Sequence, residues 1–378
     1  MDTRYYTVTE TANLLRVSVS TVRRAVAGGH LATIRVGSRR QIRIGSSTLD
    51  AYLLSSSIRN NGGPHPSASR FAYNTRQRRG EAIVSENRAE DFRGKVPSGK
   101  SWRVLHADVL AGLHELESAS VNCIVTSPPY YWQRDYEVEG QIGHEPTING
   151  YIDALVDTFT AAKRVMADDG LLFLNLGDTY YSAKGRAHGE DKKHAGRQIS
   201  RNVLRAVDGP GLGLPRKSLI GIPWRAALAL QKVGWTLRSA IIWHRPGSIP
   251  EANSLDRPWR SYEHIFMFAK QPKYWFNRGE LGLEEDVWQL NSRPENPGSH
   301  FAPYPVELVD RCLAIGCKPD GTVLDPFVGS GTTMIAALRR GLGAVGIDLK
   351  RKYCNFTVQR ITNEFSSTQL QFDEQRRA

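Results

Sequence analysis

Four consecutive residues could bind and activate an amine. Ser127, Pro128, Pro129 and Tyr130 directly follow the apolar segment VNCIVT. Proline has a fixed φ and no N–H group, so this loop presents stiff carbonyl groups beside a serine hydroxyl and a tyrosine ring. A planar group that carries an NH2 suits such a site, because the oxygens accept its hydrogens while the ring stacks on its face. Taken by itself, the motif is better explained as an ordinary turn after a strand.

A second motif could bind a nucleoside. The strand-like segment TVLDPF runs into VGSGTT and then a helical pattern, which places Gly329 and Gly331 where backbone N–H groups can approach a ligand. No lysine follows Gly331, which excludes a Walker A loop, and Met334 replaces the third glycine of the GxGxxG motif. Asp348 ends the next strand-like segment, 23 residues after Asp325, near the spacing at which an acid binds a ribose. We therefore expect a nucleoside-containing ligand, with its carboxylate or phosphate near the glycines.

Strand and helix patterns alternate after Trp102. Apolar runs such as RVLHA, GLLFLNLG and GAVGID are separated by helical patterns such as YIDALVDTFTAAKRVM. This alternation predicts an α/β fold with a doubly wound, Rossmann-like sheet over residues 102–365. Residues 182–217 and 270–299 interrupt it and are too long for ordinary connections, so we expect them to be substrate-facing insertions. We expect residues 366–378 to form a polar tail.

The first 54 residues differ in character from the rest. TETANLL and STVRRAVA predict two short helices behind Thr and Ser caps, and LATIRV and QIRI predict two strands around a polar turn. This order resembles the winged helix-turn-helix of the excisionase and MerR families, whose second helix enters the major groove. The other interpretation is a small packing module with a solvated basic face. The residues that the resemblance places against DNA are Ser20, Thr21, Arg23, Arg24, Arg39 and Arg40.

Charge and composition favour a nucleic-acid partner. Lys and Arg number 50 against 38 Asp and Glu, a net charge of +12, which indicates a polyanion partner unless the charge serves only solubility. Residues 55–101, rich in Ser, Gly, Asn and Arg, predict a flexible basic linker. The four cysteines form no CxxC pair, which favours reduced core thiols over disulfides or a metal site. With no apolar signal segment or bilayer-length run, we expect a cytoplasmic, nucleoid-associated protein.

The two motifs together are far more specific than either alone. They resemble the amino-methyltransferases of DNA, which use S-adenosylmethionine to methylate an exocyclic base nitrogen and carry a [DNS]PP[YFW] element and an FxGxG element. The amine-binding element precedes the cofactor element here, as in the beta group of that family, and the resemblance covers about residues 103–361. It assigns the catalytic loop to Ser127, Pro128, Pro129 and Tyr130. It assigns S-adenosylmethionine binding to Asp108, Phe301, Ala302, Tyr304, Asp325, Phe327, Gly329, Gly331, Thr332 and Asp348.

The resemblance implies double-stranded DNA as the substrate and leaves two bases open. Serine at position 127 favours N4 of cytosine, since adenine enzymes of this family more often carry Asp or Asn there; N6 of adenine is the alternative. Carbon-5 methylation is disfavoured because no cysteine follows a proline as its nucleophile would. RNA or protein-glutamine methylation and a DNA-binding regulator without activity are more distant alternatives. The recognition sequence, the oligomeric state and the existence of a cognate restriction endonuclease stay open, as does which insertion reads the target.

Overall fold

The chain forms two compact units, residues Met1–Ala72 and Tyr73–Ala378. In the computed structural model the described residues are 90–183, 185, 205–246, 255–281, 285–291 and 304–377. The first unit contributes shorter described runs, at residues 5–7, 11, 22, 26, 34–36 and 41–45.

The first unit contains a small antiparallel sheet. Its strands are β1 (Tyr5–Tyr6), β2 (Ile34–Val36) and β3 (Gln41–Gly45), in the order β1-β3-β2. The β2–β3 pair confirms the two strands predicted after the helix-turn-helix pattern. Ile44 and Val22 are buried, so this unit has apolar side chains in its interior. Outside the described residues lie Ser20, Thr21, Arg23, Arg24, Arg39 and Arg40.

The second unit is built on one sheet of nine strands, in the order β10-β8-β9-β7-β6-β11-β12-β5-β4. The five strands from β7 to β5 are parallel, whereas β9 is antiparallel to both of its neighbours and β4 is antiparallel to β5. The strand bounds are β4 Glu90–Lys95, β5 Ser101–His106, β6 Val121–Thr126, β7 Met166–Leu176, β8 Thr236–His244, β9 Tyr262–Ala269, β10 Val287–Gln289, β11 Thr322–Asp325 and β12 Gly343–Asp348.

Helices cover both faces of this sheet, as the doubly wound fold requires. Apolar residues of α1, α2 and α3 belong to one buried cluster, and those of α5, α6 and α7 belong to a second cluster. The fold class expected from the alternation of patterns is thereby confirmed. The helix bounds are α1 Val109–His114, α2 Ile148–Val165, α3 Ile222–Lys232, α4 Arg278–Leu281, α5 Val306–Gly316, α6 Thr332–Arg339 and α7 Arg351–Arg377.

Three segments differ from their expected form. The expected linker, residues 55–101, ends earlier, because Glu90–Lys95 pairs with Ser101–His106 along the whole of β4. Its sequence EDFRGK has one large apolar residue, so main-chain pairing rather than an apolar pattern makes it a strand. Within the expected insertion 270–299, β10 adds an edge strand that buries Trp288. The expected polar tail, residues 366–378, continues α7 as far as Arg377. The other domain boundaries stay predictions.

The four cysteines are buried and unpaired, and burial raises the pKa of each thiol. They behave as apolar core residues. No helix in the described part of the chain has both the length and the apolar character to cross a membrane.

Candidate active site

The two motifs meet at one edge of the sheet. The neighbouring parallel strands β6, β11 and β12 end at Thr126, Asp325 and Asp348, so the loops that follow them emerge side by side. A cavity of about 370 Å³ lies there, within the range of small-ligand sites. The expected residues that line it are Asp108, Ser127, Pro128, Pro129, Tyr130, Tyr304, Asp325, Phe327, Gly329, Thr332 and Asp348. Phe301 and Ala302 lie outside the described residues.

The loop from Ser127 to Tyr130 is held by a partly buried polar network. Ser127 Oγ donates to Tyr130 OH at 3.2 Å, and Tyr130 OH donates to Glu263 Oε2 at 2.7 Å. Asn175 contacts both Tyr130 and Glu263. Its Oδ1 lies 3.0 Å from Tyr130 OH, and its Nδ2 donates to Glu263 Oε2 at 3.2 Å. Burial, followed by the Glu263 carboxylate, raises the pKa of Tyr130 well above its usual value, so this phenol stays protonated and acts as a donor.

The two proline carbonyls have different roles. Pro129 O accepts a hydrogen bond from Tyr151 OH at 2.8 Å, which fixes the loop to α2. Pro128 O accepts none from the described residues, and Pro128 lines the cavity. The Tyr130 ring packs closely on main chain, because a Cβ added at Gly177 would lie 2.5 Å from Tyr130 Cε2. The loop therefore offers the Ser127 hydroxyl and the Pro128 carbonyl to a ligand.

Asp325 holds the centre of the site together. Its Oδ1 accepts from Thr126 Oγ1 at 2.6 Å and from Phe327 N at 3.1 Å. Its Oδ2 accepts from Thr333 Oγ1 at 2.7 Å and from Tyr304 OH at 3.0 Å. Burial raises the pKa of the carboxyl, and the hydrogen bonds oppose that shift. Asp325 lines the cavity, but its four bonds join β6, β11 and α6, so its first role is to position the loops.

Gly331 differs from its expected role as a cavity residue. Its φ is +78°, and a Cβ there would lie 2.7 Å from Thr357 Cγ2 on α7. Its N–H donates to Val328 O, and it is absent from the cavity wall. The glycine is required by the left-handed turn and by packing against α7. Gly329, in contrast, lines the cavity and has a φ of +50°.

Asp348 carries an oriented carboxylate at the end of β12. Oδ2 accepts from Gly329 N at 2.9 Å and Oδ1 accepts from Lys350 N at 2.8 Å. Burial raises the pKa of Asp348 to about 6. Each oxygen keeps a further lone pair, so the carboxylate can accept from two hydroxyl groups, as a ribose needs.

Asp108 lies at the opposite side of the same loop cluster. Its Oδ1 caps α1 by accepting from Leu110 N at 2.9 Å, and the residue lines the cavity. One oxygen therefore serves the helix, and the other has no hydrogen-bond donor among the described residues. This is consistent with the amine contact that the resemblance assigns to Asp108. The described residues contain no group of three His, Cys, Asp or Glu side chains that could hold a metal ion.

The cavity has walls that the sequence did not predict. One wall is the loop after Tyr130, which Lys350 Nζ fixes by donating to Tyr136 O at 2.7 Å. The ring of Tyr136 also lies edge-on to that of Tyr353, 6.1 Å between centroids. This loop lacks an apolar period that could have indicated its position. Its cavity residues are Gln133, Arg134, Tyr136, Val138, Gly140, Gln141 and Ile142.

A second unpredicted wall comes from β7, β8 and β9. It consists of Asn175, Trp243, Arg245 and Glu263. The sequence does carry one signal for these wall residues: each lies within or beside an apolar strand pattern. The segments are LFLNLG, IIWHR and SYEHIFMF. That signal does not say which strands will be neighbours.

The expected insertion 182–217 contacts the loop after Tyr130 through its last part. Arg205 pairs with the buried Asp208 at 2.6 Å, and Arg205 Nη1 donates to Trp132 O at 3.3 Å. Asp208 also accepts a hydrogen bond from Ser182. This part of the insertion therefore lies beside the loop that walls the cavity.

Comparison with known proteins identifies both parts of the chain. Residues 121–359 match the N6/N4 DNA methylase family, and residues 5–57 match a helix-turn-helix domain. The Type II methyltransferase M.Cfr9I of Citrobacter freundii is 42% identical over 270 residues, covering 69% of this chain and 88% of that protein. The Type II methyltransferase M.SmaI of Serratia marcescens is 40% identical over 273 residues, covering 69% and 91%.

A solved structure shares the fold. The PvuII DNA methyltransferase, described as cytosine-N4-specific, superposes with a TM-score of 0.52 and 18% identity, covering 71% of this chain and 89% of that one. At this identity the likeness concerns the fold alone.

Proposed function

The chain belongs to the N6/N4 family of DNA methylases, and from this premise we propose that it methylates the exocyclic N4 amine of cytosine in double-stranded DNA, with S-adenosylmethionine as the methyl donor. The observation that carries this proposal is the position of the Ser127 hydroxyl and the Pro128 carbonyl, two acceptors for one amine, in the same cavity as Gly329 and Asp348. In this proposal the amine and the cofactor share one site.

The cavity fits the cofactor by the chemistry of its donors and acceptors. Asp348 would hold the ribose hydroxyls, Phe327 and Asp108 would contact the adenine, and Gly329 permits close approach of the backbone. S-adenosylmethionine supplies an activated methyl group on a sulfonium ion. Phe301, Ala302 and Tyr304 remain proposals for its methionine end, and the Tyr304 hydroxyl already donates to Asp325.

The loop residues prepare the amine for attack. Hydrogen bonds from the amine to Ser127 Oγ and Pro128 O would favour a tetrahedral nitrogen, whose lone pair is no longer conjugated into the ring. Because Ser127 donates to Tyr130 and Tyr130 donates to Glu263, the chain of hydroxyls is polarised towards a carboxylate. This polarisation makes Ser127 Oγ a stronger acceptor for the amine proton. Positioning of the two reactants supplies most of the rate.

Two features support cytosine and DNA. Position 127 is Ser, which is neutral and the shortest of the family's choices. The helix-turn-helix match supports duplex DNA over RNA or protein. The alternative is N6 of adenine, because the same two acceptors can hold either amine. In the proposed complex Ser20, Thr21, Arg23, Arg24, Arg39 and Arg40 contact the DNA, and residues 182–217 and 270–299 read the target.

Nucleoside mass spectrometry tests the chemistry directly. Duplex DNA is incubated with the protein and methyl-labelled cofactor, digested to nucleosides and separated. The proposal predicts label in N4-methylcytosine, and the Ser127→Ala variant should transfer far less. Label in N6-methyladenine alone would replace the base while keeping the amine mechanism. Label at carbon-5 of cytosine would overturn the mechanism.

We also propose that the protein acts in the cytoplasm on nucleoid DNA and protects it from a cognate restriction endonuclease. The support is that the two relatives described above are Type II methyltransferases. DNA from cells that express the chain should resist a Type II endonuclease that cuts DNA from cells expressing Ser127→Ala. Equal cleavage of both DNAs by every endonuclease tested would contradict the proposal.

A further inference from the structure

We propose that Arg245 binds the O2 carbonyl of the target cytosine and thereby selects cytosine over adenine. This inference rests on the proposed function and names the residue that would determine its base specificity. Arg245 follows β8 and lines the same cavity as Ser127 and Pro128.

The guanidinium of Arg245 is held in a fixed position. Its Nη1 lies 2.9 Å from Glu263 Oε1, and its Cζ lies over the Trp243 ring, 5.7 Å from the ring centroid. Trp243 is itself fixed, because its Nε1 donates to Leu290 O at 3.1 Å. The Arg245 side chain is 24% exposed. An arginine held by an ion pair and a cation–π contact in this way loses little freedom when it binds a ligand.

Arg245 has more N–H donors than the described residues satisfy. Glu263 takes one N–H, and Nε is buried with no hydrogen-bond partner. No other acceptor for the guanidinium occurs among the described residues. Nε is closed to the cavity, but the spare N–H groups of the two terminal nitrogens belong to a partly exposed side chain in the cavity wall, so a ligand there can supply their acceptor.

The order of the strands places Arg245 on the base side of the cavity. Gly329 and Asp348 follow β11 and β12, whereas Arg245 follows β8, and β9, β7 and β6 lie between. Ser127 follows β6 and is joined to Arg245 by consecutive hydrogen bonds through Tyr130 and Glu263. The acceptor that the described residues do not give to Arg245 therefore belongs to the group whose amine binds Ser127.

Cytosine supplies that acceptor and adenine does not. The Watson–Crick edge of cytosine carries its amine, the ring nitrogen N3 and the carbonyl O2, in that order. The edge of adenine carries its amine and N1, followed by a C–H group. If the amine of either base is bound by Ser127 and Pro128, Arg245 lies at the far end of the Watson–Crick edge. There its N–H group meets the O2 oxygen of cytosine but the C–H group of adenine. Adenine would leave the Arg245 donors unpaired.

A protein–substrate double-mutant cycle tests this assignment. The target duplex carries the motif found by sequencing methylated DNA, with either cytosine or its 2-aminopyridine C-nucleoside analogue, which keeps the amine and ring nitrogen but lacks O2. We expect the analogue to lower kcat/KM of the wild type by about 5- to 150-fold, the usual range for one base contact. Arg245→Gln should lower kcat/KM on cytosine by a similar factor and show little further loss on the analogue.

Two further variants separate recognition from folding. Arg245→Lys keeps a positive charge beside Glu263 but lacks the planar fork, so it should fold and show an intermediate loss on cytosine. Arg340→Gln removes an arginine–carboxylate pair outside the cavity, with Asp310 at 3.0 Å, and should show the wild-type ratio of cytosine to analogue. Calorimetry with S-adenosylhomocysteine should give unchanged affinity for all three variants.

The possible outcomes distinguish a failure of this inference from a failure of the proposed function on which it rests. If N4-methylcytosine forms but the effects of Arg245→Gln and of the analogue multiply independently, the assignment of Arg245 is wrong and the function stands. If Arg245→Gln loses S-adenosylhomocysteine affinity, Arg245 belongs to the cofactor and the assignment is again wrong. If label enters adenine alone, the proposed base fails and this inference fails with it.

Discussion

The hydroxyl of Tyr130 controls how strongly the neighbouring Ser127 hydroxyl accepts a hydrogen bond. Its ring packs against Gly177, and its OH lies between Ser127 and the carboxylate of Glu263. Because burial keeps the phenol protonated, the direction of the hydrogen bonds is set from Ser127 towards Glu263. The acceptor strength of Ser127 therefore depends on two residues from other strands, Asn175 and Glu263.

Tyr130→Phe should lower kcat while leaving cofactor affinity unchanged. The variant keeps the ring but removes the hydroxyl that links Ser127 to Glu263, a hydrogen bond to a charged group worth about 1.5–3 kcal/mol, or roughly 10- to 150-fold in rate. Tyr131→Phe is the matched control, since Tyr131 is buried but does not line the cavity. Single-turnover kinetics and calorimetry with S-adenosylhomocysteine measure both quantities. Equal rates for the two variants would show that the Tyr130 hydroxyl is dispensable.

Asp348 should make cofactor binding depend on pH. Its pKa is raised to about 6 by burial, and hydrogen bonds from ribose hydroxyls favour the ionised form. Binding therefore lowers this pKa, so affinity is constant above pH 6 and weakens as pH falls below it. Calorimetry with S-adenosylhomocysteine across this range measures the slope. Asp348→Asn should bind weakly with no such slope, and an unchanged slope in that variant would assign the dependence to another group.

At the scale of elements, the turn from β11 to α6 is shaped by α7 rather than by the ligand. Gly331 begins α6 in a left-handed conformation, and Thr357 of α7 occupies the space where its Cβ would lie. Thr357 Oγ1 also donates to Gly329 O at 3.0 Å. The helix after the last strand thus supports the loop that faces the cavity.

Gly331→Ala should destabilise the protein by about 2–5 kcal/mol, the sum of left-handed strain and overpacking against Thr357. Gly341→Ala is the matched control, because Gly341 has a φ of +69° but nothing within 4 Å of an added Cβ, and it should cost only about 1–2 kcal/mol. Adding Thr357→Ser to Gly331→Ala removes the clashing methyl and should restore part of the loss. Urea unfolding measures all of these changes. Identical losses for Gly331→Ala and Gly341→Ala would remove α7 from the explanation.

At the scale of the whole molecule, the cavity belongs entirely to the second unit. Every residue that lines it lies within residues 107–353, whereas the helix-turn-helix match covers residues 5–57. The net charge of +12 gives the chain a general attraction to DNA, and the two units are expected to divide the work between binding and transfer.

Deleting residues 1–54 should weaken DNA binding and preserve methyl transfer at saturating DNA. Each lost phosphate contact should reduce the slope of log K against log salt by about 0.9. Filter binding over a salt series, and kcat at high DNA concentration, measure the two effects. A truncated protein that is folded, as judged by circular dichroism, but transfers no methyl group at any DNA concentration would show that the units do not work independently.

The sequence by itself determined the features that depend on neighbours along the chain. Alternating apolar runs predicted the α/β sheet, and Pro-Pro and Gly-x-Gly predicted turns whose backbone chemistry is local. The pairing of SPPY with FVGSG indicated the family, and Ser127, Gly329 and Asp348 all line the cavity. These features are readable because φ restriction and hydrophobic period act over a few residues.

The tertiary structure alone decided which distant side chains complete the site. Glu263 lies 133 residues after Tyr130, and Arg245 and Asn175 reach the same network only because β7, β9 and β8 are adjacent in the sheet. Packing also gave Gly331 its role against α7, and main-chain pairing made a strand of residues 90–95. Burial, strand order and close contact are properties of the folded chain, since they arise from pairs of residues far apart in sequence.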